Sequence, residues 1–105
     1  MLIADMRHYL GDDLSLIELH AEATRLRDYL GSIIAVVTLR NSYETDSETP
    51  IRCRRRPGHK RCKGNIIAYF DETEPSAIKW GCYFCGDSGY ISGWEGTFWY
   101  KRRSR

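Results

Sequence analysis

At 105 residues the chain is one domain, or one small domain with a helical extension. Charged side chains make up 29% of it and no apolar run approaches the ~20 residues that a spanning helix needs, which excludes a helical membrane protein. The net charge is only +2, but residues 1–40 hold four basic and six acidic side chains against twelve and eight in residues 41–105, so an anionic partner is sought in the second part.

The N-terminus, Met1-Leu2-Ile3-Ala4-Asp5, lacks a basic stretch followed by an apolar one, so it does not read as a secretory signal, and a cytoplasmic location is expected. A short helix ending at Gly11 is expected next. Ser15-x-x-Glu18 matches a capping box, with Asp12 and Asp13 favourable near a positive helix end. From there Leu19, Ala23, Leu26, Leu30, Ile33 and Val37 recur at spacings of four and three, which predicts an amphipathic helix over 15–38. Gly31 costs about 1 kcal/mol against alanine there, and a strand over Ile33 to Thr38 is the alternative. The continuous helix is preferred because the stripe keeps its phase across Gly31. Its apolar face is expected to pack on the chain's own sheet or on another chain.

Residues 41–50 are polar and aperiodic and read as a linker. Asn65 to Phe70 and Ala77 to Cys82 read as two antiparallel strands joined by the turn-rich segment 71–76. Paired about that loop, they set Cys62 opposite Cys85 and Asn65 opposite Cys82. Gly89 to Ser92 is a candidate third strand. The expected architecture is therefore α+β: a helical segment over 1–40, a linker over 41–50, a small antiparallel β module over 51–100 and a basic tail over 101–105.

All four cysteines, Cys53, Cys62, Cys82 and Cys85, fall within this β module. Reduced, clustered thiols read as metal ligands rather than disulfides. Cys82-x-x-Cys85 has the tight spacing of one zinc-binding turn, and Gly86 after it can take a positive φ. The eight residues between Cys53 and Cys62 are a longer spacing than usual, which Pro57-Gly58 can fold back. His59 competes with Cys53 as a ligand, and iron competes with zinc as the metal. Four thiolates close the coordination shell, so the site reads as structural, with one zinc per chain.

Between and beside the first two cysteines lie Arg52, Arg54, Arg55, Arg56, Lys60, Arg61 and Lys63, with no acid among them. One reading is a patch that contacts the phosphates of nucleic acid or another polyanion. The other is that these residues offset the charge of a zinc–tetrathiolate centre, which is −2. Ten of thirteen aromatic residues lie between Tyr69 and Tyr100. Most are expected in the core, with Trp94, Trp99 and Tyr100 the most exposed. The histidines are scattered, and no Gly-x-Ser-x-Gly, P-loop or dinucleotide fingerprint is present, so an enzyme is not expected.

The run Cys53-Arg-Arg-Arg-Pro-Gly58, with Trp80-x-Cys82-x-x-Cys85-Gly-Asp-x-Gly-x-Ile-Ser-Gly-Trp94-x-Gly-Thr-x-Trp99, resembles a family of small bacterial zinc-ribbon-like proteins with no assigned activity. Ala4-Asp5-Met6-Arg7-His8-Tyr9-Leu10 extends the likeness over nearly the whole chain. The resemblance implies a bacterial cytosolic protein with a metal at the four matching cysteines. Two functions are carried forward: a zinc-stabilised module that touches nucleic acid through its basic loop, and a protein-interaction or self-associating module acting through the 15–38 helix.

Overall fold

The computed structural model describes residues 1–41, 48–55, 59–71 and 77–100. One helix, α1 (Ala21–Arg40), packs on a five-stranded sheet. The strands are β1 (Leu2–Asp5), β2 (Glu48–Arg52), β3 (Asn65–Phe70), β4 (Ile78–Gly81) and β5 (Ser88–Ser92), in the spatial order β1-β5-β4-β3-β2. The class is α+β, as expected. The sheet is mixed rather than antiparallel, because β1 pairs parallel with β5.

The helix is not N-terminal. Residues 2–5 form β1, and a 3-10 turn, Met6–Tyr9, stands where a helix was expected. Asp5 starts that turn by accepting from the Arg7 backbone N–H and from its guanidinium. The capping-box reading also fails: α1 begins at Ala21, not at residue 15. Turn chemistry wins in between. The Ser15 N–H donates to the Asp13 carboxylate, Gly11 N–H to the Ser15 carbonyl, and Leu14 takes a φ of 64°. Leu10 then bridges Leu16, and the buried Arg27 guanidinium donates to the Ile17 carbonyl at 2.8 Å, which holds this segment extended against the helix.

Beyond that start, the predicted stripe holds. Leu30, Ile33 and Val37 are buried with Ile34, while Ala23 and Leu26 are half-buried. The helix runs unbroken through Gly31, so no strand forms over Ile33 to Thr38. A Cβ on Gly31 would sit 2.3 Å from the Trp99 indole, and this close approach explains the glycine. Asn41 ends the helix with a left-handed φ of 53°, its N–H donating to the Val37 carbonyl.

In the sheet, strict alternation sorts the faces. Ile66, Ala68 and Phe70 of β3, Ile78 and Trp80 of β4, and Gly89 and Ile91 of β5 are buried. The β3–β4 register is one residue away from the expected one: Ile67 pairs with Gly81 and Phe70 with Ile78. The reason is the core. This register puts Ala68 across from Trp80 on the buried face, whereas the expected one would set Trp80 opposite Ile67, which points the other way.

The end of the segment read as a linker is strand β2, and residues 42–47 lie outside the described residues. Pro50 is tolerated because β2 is an edge strand with a register shift between Glu48 and Arg52. The buried Thr49 hydroxyl donates to the Ile66 carbonyl and accepts from the Ile51 N–H there. The expected turn over 71–76 and the basic tail over 101–105 also fall, apart from Asp71, outside the described residues.

After β5 the chain folds over the core. Trp94 is buried against Phe70 at 5.3 Å and Tyr100 at 5.6 Å between ring centroids. Trp99 and Tyr100 are half-buried. The expectation that these three are the exposed aromatics is therefore corrected: Tyr83, Phe84 and Phe98 are, at 80%, 73% and 63%. One continuous core joins α1, the sheet and three of the four cysteines.

Candidate metal centre

The cysteines lie in the segments that enter and leave the strands at one end of the sheet, which brings them together there. Cys53 follows β2, Cys62 precedes β3, Cys82 follows β4 and Cys85 lies in the turn to β5. Backbone hydrogen bonds shape both loops. In the first, Cys53 N–H donates to the Gly64 carbonyl and Cys62 N–H to that of Arg55, each at 2.9 Å. In the second, Cys82 N–H donates to the Asp87 carbonyl and Gly86 N–H to that of Cys82. Gly86 closes this turn with a φ of +79°, as its position after Cys85 predicts.

The four sulfurs lie within 4.8 Å of one another. Cys53 Sγ is 3.6 Å from Cys85 Sγ, and Cys62 Sγ 3.7 Å from Cys82 Sγ. These separations are far beyond the ~2.05 Å of a disulfide. They are close to the edge of a tetrahedron whose centre is ~2.3 Å from each sulfur, about 3.8 Å, which is the geometry of a zinc–tetrathiolate. The residues therefore fit a metal ion. His59 is exposed and stands outside this cluster.

Burial pushes the Cys53 thiol up to about 12. At Cys82 burial acts the same way, but N–H groups of Cys85 and Phe84 and the neighbouring Cys62 and Cys85 thiols outweigh it and lower the pKa. Gly64 N–H points at Cys62 Sγ from 3.4 Å. Donors aimed at sulfur are what a negatively charged thiolate centre requires. Gly64 is also closely packed: a Cβ there would lie 2.8 Å from Cys82 Sγ and 2.7 Å from Phe84 Cβ. The sequence reading does not single out Gly64, although its place two residues after Cys62 is a signal for it.

The basic residues Arg52, Arg54, Arg55, Lys60, Arg61 and Lys63 are all exposed around this centre, and none forms an ion pair among the described residues. Arg56 lies outside them. Arg54 rests over the Tyr29 ring, 5.9 Å from its centroid, and so ties the loop to α1. Tyr29 in turn meets Trp80 edge-on at 6.3 Å. No helix among the described residues is long and apolar enough to cross a membrane.

Compared with known proteins, the chain matches no family model, no curated protein and no solved structure. Its class is thus defined by fold and site together: a small α+β domain with a four-cysteine cluster, three of the four buried, able to hold a metal ion.

Proposed function

We propose that the protein is a cytosolic, zinc-stabilised binding module that contacts nucleic acid through the basic loop around its metal centre. The observation that carries this reading is the set of six exposed cations from Arg52 to Lys63, without an ion pair among the described residues, four of them on a loop whose two ends are Cys53 and Cys62 and the other two directly beside those cysteines. A loop pinned in this way presents its guanidiniums with little ordering cost, and arginine grips phosphate oxygens in a two-pronged fork. Zinc is the metal that four closed thiolates favour, and four thiolates leave no open position for a substrate, so no catalytic role is assigned. The resemblance to the small bacterial zinc-ribbon-like proteins belongs to this reading, carried by the four cysteines and the segment after Trp80. The interaction-module reading is less favoured because Leu30, Ile33, Ile34 and Val37 already bury the helix stripe in the chain's own core.

Binding of a single-stranded oligonucleotide across a salt series tests the proposal. The logarithm of the affinity should fall by roughly 0.7 per phosphate contacted for each decade of salt. Replacing Arg54, Arg55 and Arg61 together by alanine should flatten that slope while metal stays bound. No salt-dependent binding by the parent, with loss of metal from the triple variant, would instead assign these arginines to neutralising the thiolates.

A further inference from the structure

Between the N-terminal half of α1 and the metal loop lies an open cleft of about 590 Å³, lined by Glu22, Arg25, Leu26, Tyr29, Arg54 and Arg61. Two of its arginines belong to the loop. The third, Arg25, comes from the helix and lies far in sequence from any cysteine. None of the three forms an ion pair among the described residues. Three guanidiniums against the single Glu22 carboxylate leave the cleft with two net positive charges. Leu26 and Tyr29 form an apolar wall, and Arg54 is stationed at it by its stacking on the Tyr29 ring.

We propose that this cleft is a discrete site for one phosphomonoester group, held by Arg25, Arg54 and Arg61. Charge selects the ligand. A phosphomonoester near neutral pH carries close to two negative charges, which the cleft balances, whereas a carboxylate or an internal phosphodiester carries one. Guanidiniums from two separate elements can also engage different oxygens of one tetrahedral group, each by paired N–H donors. The inference rests on the reading of the basic loop as an anion contact, and it adds what that reading lacks: a helix residue, a defined pocket and a preference for a terminal phosphate. The group has two sources, a free phosphomonoester or the 5′-phosphate end of an oligonucleotide.

Calorimetry on the zinc-loaded full chain separates these cases, with inorganic phosphate and a matched pair of oligonucleotides, 5′-phosphorylated and 5′-hydroxyl, as probes. The phosphate is expected to bind at one saturable site. Arg25→Ala should weaken it about ten- to hundred-fold, the loss typical of a charged hydrogen-bonded contact. It should leave the zinc content unchanged, because Arg25 lies on α1 and not on the cysteine loop. Glu22→Gln should tighten binding by removing the opposing charge. A preference for the 5′-phosphorylated strand that Arg25→Ala abolishes supports the strand end as source; phosphate binding without that preference supports the free phosphomonoester. If both oligonucleotides bind equally and salt-dependently while Arg25→Ala and Glu22→Gln change nothing, the cleft is overturned and the loop reading stands. If no probe binds, both fall.

Discussion

Asp5 and Gly31 show how single positions carry the fold. The hydrogen bond from the Arg7 guanidinium, more than any other influence, holds the Asp5 carboxyl well below the ordinary range, at about 2. A folded value below the unfolded one means that this contribution is complete above pH ~4 and is lost as pH falls toward 2. Arg7→Ala should move the Asp5 titration midpoint, followed by the carboxyl NMR shift, back up toward the ordinary value; a midpoint unmoved would remove Arg7 as the cause. Gly31 makes a sharper case, because helix propensity alone would recommend alanine there by ~1 kcal/mol. The Cβ would fall 2.3 Å from the rigid Trp99 indole, and overpacking of that kind costs about 1–3 kcal/mol. Gly31→Ala should therefore lower stability, by up to about 2 kcal/mol net, in denaturant unfolding. An unchanged or higher midpoint would mean that Trp99 moves aside freely. From sequence, Gly31 reads only as a weak point in a helix. Its partner is nearly seventy residues away, so no local pattern reveals it.

At the scale of elements, legibility follows the range of the interactions. The C-terminal half of α1 is readable because its stripe is local and its Asn41 cap is a common residue for a left-handed ending. Its start is not, because Asp13 and Ser15 supply turn chemistry as readily as a cap, and Arg27 decides between them from inside the helix. Strands β3 to β5 show their alternation. β1 is four residues long and pairs with a strand at the other end of the chain, so nothing near it in sequence marks it. β2 is hidden by Thr49 and Pro50, which an edge strand tolerates but a strand pattern does not suggest. The sheet faces can be tested with neighbours on one strand. Ile66→Ala, on the buried face, should cost about 2–5 kcal/mol, as large-to-small changes in a packed core do. Ile67→Ala, on the face away from the helix, should cost clearly less, by the same unfolding measurement. Equal costs would contradict the register in which Ala68 faces Trp80.

For the whole molecule, the four-cysteine cluster is the part of the site most legible in sequence, since the spacing of Cys82 and Cys85 and the confinement of all four cysteines to one stretch survive any error in register. The strands miss their expected pairing by one residue, and the sulfurs still converge. What sequence did not reveal is that Cys53, Cys62 and Cys82 share one core with α1. A metal held by these cysteines would therefore sit in the core that α1 also lines. Chelation should lower the stability of the entire chain in one transition, with α1 helicity lost together with the near-ultraviolet signal of the tryptophans. Loss of the tryptophan signal with α1 intact would restore the two-part picture. In the proposed reading Cys53, Cys62, Cys82 and Cys85 hold one zinc ion. Elemental analysis of the purified chain beside its Cys82→Ala variant tests it most directly. One equivalent of zinc in the parent, and little or none in the variant, is the predicted result; a folded parent with no stoichiometric metal would contradict it.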